Sequence, residues 1–305
     1  MTGPVTGPGT AADQAARSSF EAHRDRIFGL AYRMTGSVSD AEDVVQETWI
    51  RWQRSPTDSI ASPEAWLVRV ATNVSLDRLR SAQRRREQYV GSWLPEPLVD
   101  HDGPGHVDPG EEAVTAESLT LAFLVVLDEL RPEDRAVFLL HEVFAYPYDE
   151  IASMVGRTPA ACRQAVSRAR QRIEASGAVH RRPRGADEDA LLARVVEAMT
   201  VGDIDAVMRY MAPDVVVVSD AGSERRAARR PVVGPARSAR LLVNLSKRVP
   251  EGAEITLQRF NGDPTIVLRE EGEMHTTLTF EFAEDGRLRR VYAMRNPEKL
   301  RHVGT

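Results

Sequence analysis

The chain has 305 residues and a single cysteine, Cys162, which excludes an intramolecular disulfide and fits a reducing cytoplasm as its location. No stretch approaches the ~20 consecutive apolar residues of a membrane-spanning helix, so no membrane insertion is expected, and 42% hydrophobic residues are enough to core two or three domains. A net charge of −5 argues against a uniformly basic nucleic-acid binder.

That average hides segregation. Arg78, Arg80, Arg84, Arg85 and Arg86 form one basic cluster. Arg157, Arg163, Arg168, Arg170, Arg172, Arg181, Arg182 and Arg184 form another, and the span from Asp100 to Glu150 between them is acidic. Two basic patches joined by acid suggest two separate DNA contacts.

Residues 1–16, rich in Gly, Pro and Thr at their start, are expected to be disordered. Phe20, Ile27, Phe28, Ala31 and Tyr32 then sit near helical spacing, and Thr35-Gly36 ends that element. Ser39 with Glu42 reads as a capping box opening a helix whose apolar side is Ala41, Val44, Val45, Thr48, Trp49 and Trp52. Its other side carries Asp40, Asp43, Gln46 and Glu47. Ser62-Pro63 opens a further helix, buried along Trp66, Leu67, Val70, Ala71 and Val74, with Arg69, Asn73, Asp77 and Arg80 elsewhere on its surface. Residues 91–110 read as a flexible loop with an aromatic anchor at Trp93-Leu94-Pro95-Glu96-Pro97, and residues 111–176 as helical again, broken at Pro132.

Within that second helical stretch, Tyr148–Val155 predicts a short helix and Gly156 a tight turn. Thr158 caps the next helix and Pro159 takes its first position. Cys162, Val166, Ala169 and Ile173 make its apolar seam; Arg163, Gln164, Ser167, Arg168 and Gln171 make a donor-rich face. This is a helix-turn-helix whose second helix suits a major groove, since Arg pairs bidentately with guanine and Gln with adenine. Arg157, Arg170 and Arg172 are placed for phosphates. An ordinary helical hairpin with a solvated arginine face fits the same pattern. Cys162, at a seam position, reads as a small buried apolar residue.

After about residue 186 the character changes. Leu191–Met199, Ile204–Met211 and Ala236–Arg248 read as helices. Val215–Ser219, Glu254–Phe260, Thr265–Arg269, Met274–Phe282 and Leu288–Met294 read as strands, with turns at Gly262-Asp263 and Asp285-Gly286. Thr277–Phe282 alternates as a half-buried strand does. The class is α+β.

Taken together, these motifs resemble the extracytoplasmic-function sigma factors. The stretch Asp40-Ala-Glu-Asp-Val-Val-Gln-Glu47 resembles the helix that docks on the polymerase clamp, which implies that Asp40, Asp43, Gln46 and Glu47 face the polymerase. Pro63–Arg80 resembles the part that melts and reads the −10 element, implying Asn73 near a flipped-out base, with Asp77, Arg80, Arg84 and Arg85 beside it. Residues 120–175 resemble region 4, whose helix-turn-helix reads the −35 element, here through Arg157, Thr158, Arg163, Gln164, Ser167, Arg168 and Arg170. Residues 187–300 resemble a SnoaL-like domain of the NTF2 superfamily, a curved sheet around a pocket. Sigma factors carrying it include the ECF41 group and the mycobacterial sigma factor J type. Trp93–Pro97 matches that group's linker motif, and Asn296-Pro-Glu-Lys-Leu300 is close to its C-terminal motif, with Glu298 where Asp is usual. A third motif, Asp-Gly-Gly-Gly-Lys, stands here as Asp220-Ala-Gly-Ser-Glu224 and lacks the lysine.

The resemblance therefore implies a multidomain chain: two all-α sigma domains followed by an α+β NTF2-like domain. The expected boundaries are region 2 at 17–90, a linker at 91–112, region 4 at 113–178, a basic linker at 179–186 and the SnoaL-like domain at 187–305. It implies core RNA polymerase and promoter DNA as partners and a monomer when free, and leaves open a small-molecule ligand in the C-terminal pocket. Trp93, Pro95, Asn296, Pro297 and Lys299 are expected to make regulatory contacts. No catalytic residue, metal site or cofactor is expected. Two alternatives stay open: a C-terminal domain that is a ligand sensor or an isomerase- or hydrolase-like enzyme, with Asp220 and His275 candidates by residue type, and a stand-alone helix-turn-helix regulator.

Overall fold

The structure is a computed structural model and describes residues 11–56, 59–86, 89, 91–100, 120–176, 186–301 and 303. Residues 1–10, 101–119 and 177–185 lie outside these, and with them most of the expected linker (91–112), both ends of the expected region 4 (113–178) and most of the basic linker (179–186). The chain divides into two compact units, one of residues 1–35, 39–81 and 131–166, the other of residues 36–38, 82–130 and 167–305.

The first unit is helical. Its elements are α1 (Ala11–Glu21), α2 (Arg24–Thr35), α3 (Val38–Gln53), most of α4 (Pro63–Arg86), α6 (Pro132–Glu142), α7 (Tyr148–Val155) and the start of α8 (Pro159–Ser176). Ala11–Ala16, expected to be disordered, begin α1 instead. The segment is alanine-rich, which favours helix, and the Trp52 indole N–H donates to the Ala16 carbonyl at 2.8 Å. The Phe20 and Trp49 rings pack in a tilted arrangement at 4.8 Å, as do Trp52 and Trp66 at 5.3 Å. Ile27, Leu30, Ala71, Ala136, Leu139 and Ile151 are fully buried. Several polar ties of this unit involve arginine. Arg135 donates from Nη1 to the Met34 carbonyl at 2.6 Å, and Arg26 pairs with Glu64 at 3.0 Å while lying over the Phe144 ring at 5.1 Å.

The second unit carries α5 (Leu121–Asp128), α9 (Ala186–Val201), α10 (Ile204–Arg209), α11 (Pro235–Ser246), α12 (Pro297–Leu300) and six strands. The strands are β1 (Met211–Asp220), β2 (Val232–Val233), β3 (Glu254–Phe260), β4 (Asp263–Glu270), β5 (Glu273–Phe282) and β6 (Leu288–Met294). They form one sheet in the order β2-β1-β6-β5-β4-β3, parallel between β1 and β6 and antiparallel elsewhere. This is the α+β arrangement expected for the C-terminal domain, helices packed on one mixed sheet. The β3–β4 pairing closes at Phe260 opposite Asp263, so the turn is Asn261-Gly262, one residue earlier than expected. Both residues have positive φ, 55° and 76°, as a tight hairpin requires.

Side-chain alternation divides the sheet into two faces. Val215, Val217, Leu278, Phe280, Val291 and Ala293 point to the helices α9, α10 and α11. Phe260, Val267, Tyr292 and Met294 pack with Leu94 of the linker, Leu121 of α5 and Leu300 of α12. The second face is therefore covered as well, which corrects the reading of β5 as half-buried. Thr277 and Thr279 are 1% and 2% exposed, and the Thr279 hydroxyl is bonded to that of Thr265 at 2.9 Å.

Phe280 is fully buried at the centre of β5. Replacing it with alanine removes a ring whose neighbours collapse only partly into the space. Denaturant titration of F280A should show a loss of about 3–5 kcal/mol in unfolding free energy.

Candidate functional site

In the first unit, the acidic side of α3 is held open to solvent. Asp43 and Gln46 are exposed and Glu47 is half-exposed, paired with Arg51 at 2.9 Å. Arg78 of α4 reaches across to Asp40 at 3.1 Å and Asp43 at 3.0 Å, which fixes α3 against α4 through its acidic edge. Asn73 and Asp77 are exposed on α4. Arg80, expected on the DNA backbone, is bonded to Asp77 and to Glu133 of α6, at 3.2 and 2.9 Å. Burial raises the Glu133 pKa, but the bond from Arg80, a backbone hydrogen bond and the charges of Arg80 and Arg157 together outweigh it and hold the carboxyl below its ordinary value. Of Arg84 and Arg85, only the helical backbone is described.

The helix-turn-helix forms where its residues predict. Gly156 ends α7 with φ 69°, and the Thr158 hydroxyl caps α8 by accepting from the Ala161 N–H at 3.2 Å. Cys162, Val166, Ala169 and Ile173 are buried, and burial pushes the Cys162 thiol pKa up, as suits an inert seam residue. Arg163, Gln164, Ser167, Arg168 and Arg170 are exposed along α8. Arg163 lies over the Tyr148 ring at 5.7 Å, and Tyr148 stacks on His141 at 4.1 Å. Arg157 is occupied differently from expectation: it is paired with Asp134 at 2.7 Å, so it ties the turn to α6.

The second unit brings the linker and the chain's last helix together around one carboxylate. Asp220, at the end of β1, is buried on the linker side of the sheet. Its Oδ2 accepts from Lys299 Nζ at 2.7 Å and from the Leu94 N–H at 2.9 Å, and its Oδ1 accepts from the Tyr89 hydroxyl. Lys299 also donates to the Leu94 carbonyl and lies over the Trp93 ring at 4.1 Å. Asn296 caps α12 by accepting from the Glu298 N–H and donates to the Tyr89 oxygen at 2.8 Å, with Pro297 in the first turn. Burial, and then the Asp220 carboxylate, keep the Tyr89 phenol well above its ordinary pKa, so it stays a donor.

The linker's own carboxylate does a second job. Glu96 accepts from the Val38 N–H at 2.7 Å and the Ser37 hydroxyl at 2.9 Å, and its N–H donates to the Gly36 carbonyl at 2.8 Å. The start of α3 is thus capped by a residue 58 positions away, and Ser39, expected as the cap, lies inside the helix. Gly36 has φ +67°, and a Cβ there would sit 2.9 Å from the Trp93 ring.

Comparison with known proteins matches residues 19–85 to Sigma-70 region 2 and residues 120–173 to Sigma-70, region 4. The ECF RNA polymerase sigma factor SigJ of Mycobacterium tuberculosis is 42% identical over 235 residues, 77% of this chain and 74% of that one. The chain belongs to the extracytoplasmic-function sigma factors. The probable ECF RNA polymerase sigma factor SigI of the same species is 34% identical over 67% of this chain and 69% of that one. The crystal structure of M. tuberculosis SigJ superposes with a TM-score of 0.72 at 34% identity, covering 93% of this chain and 97% of that chain.

Residues 93–97, expected as the anchor of the linker, are seated in the second unit: Leu94, Pro95, Glu96 and Pro97 are buried and Trp93 is partly so. Trp93, Pro95, Asn296, Pro297 and Lys299 were legible as motif residues. Tyr89 and Glu96 were not singled out. Asp220, considered as a catalytic acid, serves instead as the acceptor at the centre of this cluster. The sheet's helix-covered face holds a cavity of about 110 Å³ to which His275 contributes and Asp220 does not.

Asp220 and Lys299 have side-chain exposures of 0% and 8%. Removing one member of such a pair strands the other's charge, whereas replacing both removes the penalty. Lys299→Met should therefore cost about 3–5 kcal/mol in thermal or denaturant unfolding, and adding Asp220→Leu to it should recover a large part of that loss.

Proposed function

We propose that the chain is an alternative sigma factor that binds core RNA polymerase, directs promoter-specific initiation through −10 and −35 elements, and is regulated in cis by its C-terminal domain. It acts in the cytoplasm, carries out no covalent step and is a monomer when free. The observation that carries the reading is the pairing of two sigma regions, in order, with an α8 whose exposed face is Arg163, Gln164, Ser167 and Arg168. Arg163 and Gln164 are the side chains assigned to −35 base edges, with Ser167, Arg168 and Arg170 beside them. Asp40, Asp43, Gln46 and Glu47 are assigned to the polymerase. Asn73 is assigned to an extruded base and Asp77, Arg80, Arg84 and Arg85 to its surroundings, where holding a base out of the stack offsets a few kcal/mol of opening cost.

The reading assigns the regulatory contact to Trp93, Pro95, Asn296, Pro297 and Lys299, whose shared partners are the linker backbone and Asp220. It also makes the present first unit a closed form, because Arg80 is engaged by Glu133 rather than free for phosphate. A second reading concerns the cavity of the C-terminal domain, which is a small-molecule site. Its lining is mostly aliphatic and its polar end is cationic, a composition that suits binding, and Asp220, a candidate acid, stands away from it.

In vitro transcription with core RNA polymerase tests the assignment. Promoter-specific initiation is expected, and Arg163→Ala should lose about 1–3 kcal/mol of promoter discrimination, concentrated at one base position. Sequence-specific DNA binding with no initiation would instead make the chain a stand-alone regulator. The Arg80–Glu133 pair is largely exposed on the arginine side, which limits its worth to about 1 kcal/mol or less. Glu133→Gln should accordingly raise initiation by no more than about fivefold, measured as open-complex yield at fixed polymerase.

A further inference from the structure

The cavity of the C-terminal domain is apolar along most of its length. Met199 of α9, Leu245 of α11, Ile266 and Leu268 of β4 and Leu278 of β5 supply its wall. At one end the chemistry changes to Arg248, His275 and Arg295. Arg295 follows β6 and is half-buried; its one recorded guanidinium bond goes to the Arg226 carbonyl, at 2.7 Å. Arg225 lies behind it, donating to the His275 carbonyl at 2.6 Å and the Arg295 carbonyl at 3.4 Å.

Among the described residues none of these three arginines is ion-paired to a carboxylate. The nearby acid, Glu270, faces His275 at 3.8 Å. At this end of the cavity the guanidinium of Arg295, and that of Arg225 behind it, therefore rest on backbone carbonyls, and among the described residues neither is matched by a carboxylate. Burial, and then the charges of Arg225 and Arg248, lower the Arg295 pKa. Burial, and then Arg225 and Arg295, lower that of His275. A cationic group in an apolar, partly desolvated site is costly unless a counter-charge meets it. An inorganic anion would satisfy the charge but leave the aliphatic wall wet, and a neutral apolar molecule would do the reverse.

We infer that the cavity binds a small organic anion, a monocarboxylate on a short apolar tail, with its carboxylate on Arg295, Arg248 at the rim and its tail against Leu245, Ile266 and Leu278. The inference rests on reading this cavity as a small-molecule site and is independent of the sigma-factor assignment.

Calorimetric titration of the full chain with sodium octanoate, octan-1-ol and sodium sulfate tests it, with thermal midpoints measured alongside for every variant. Saturable octanoate binding is expected, with octanol and sulfate each weaker by about tenfold or more, as loss of a charge-assisted hydrogen bond or of the buried tail implies. Arg295→Gln should weaken octanoate about 10–100-fold, and Arg295→Lys should retain part of the affinity. Arg248 is exposed, so Arg248→Glu keeps the test decisive if the Arg295 variants unfold, and it should weaken octanoate about tenfold. Equal binding of octanol and octanoate, or octanoate affinity unchanged in R295Q or R248E, overturns the anion assignment while keeping the cavity as a ligand site. No saturable binding of either molecule overturns both.

Discussion

The second unit depends on one carboxylate that has been taken out of water. Asp220 sits at the end of a central strand, buried, and four donors meet it: an ammonium, a phenol and the backbone N–H groups of Leu94 and Gly222. Desolvating a carboxylate is expensive, and only a full set of donors makes it tolerable. Three of the donors come from far along the chain, Tyr89 just before the linker, Leu94 within it and Lys299 in α12, so satisfying one charge draws three segments to one spot. The consequences spread outward. With the linker seated, Leu94 enters the second sheet face, Glu96 reaches the start of α3, and the face that β5 would otherwise show to solvent is closed.

Arginine has the corresponding role in the first unit. Arg26, Arg78, Arg135 and Arg157 each join two elements, through Glu64, Asp40 and Asp43, the Met34 carbonyl and Asp134 respectively. The guanidinium fork suits such bridging because it can serve partners in two directions while its stem packs on apolar surface. Several of these ties lie within the same helices that carry the exposed side chains proposed to read the promoter. The basic clusters seen in the chain are therefore not uniform: of two residues of one cluster, Arg157 is paired with Asp134 and holds the turn to α6, while Arg163 is exposed on α8.

Local chemistry was the readable part of the chain. Gly156, Thr158 and Pro159 announce a tight turn and a capped helix within a few residues of one another, and β3 and β6 begin and end where alternation places them. Asn296–Leu300 and Trp93–Pro97 stood out through resemblance, not through any pattern of polarity. What escaped was pairing across distance. Nothing near Asp220 signals a lysine 79 positions later, and nothing near Ser37 signals a cap from Glu96. The reading of β5 failed for the same reason: threonine on an alternating strand looks solvent-facing until the segments that cover it are known. The four-residue helix α12 and the two-residue strand β2 are too short to carry a period at all.

The separation between Leu94 and Lys299, 205 residues, also has a meaning in time. A ribosome adding roughly 5–20 residues per second needs on the order of 10–40 seconds to pass from one to the other. In the later part of that interval both sigma regions have been synthesised while the lysine that holds the linker does not yet exist. The nascent chain is therefore a different molecule from the finished one, with its linker unfastened until Lys299 has left the exit tunnel. A message truncated ahead of the Lys299 codon would leave the protein permanently in that juvenile state.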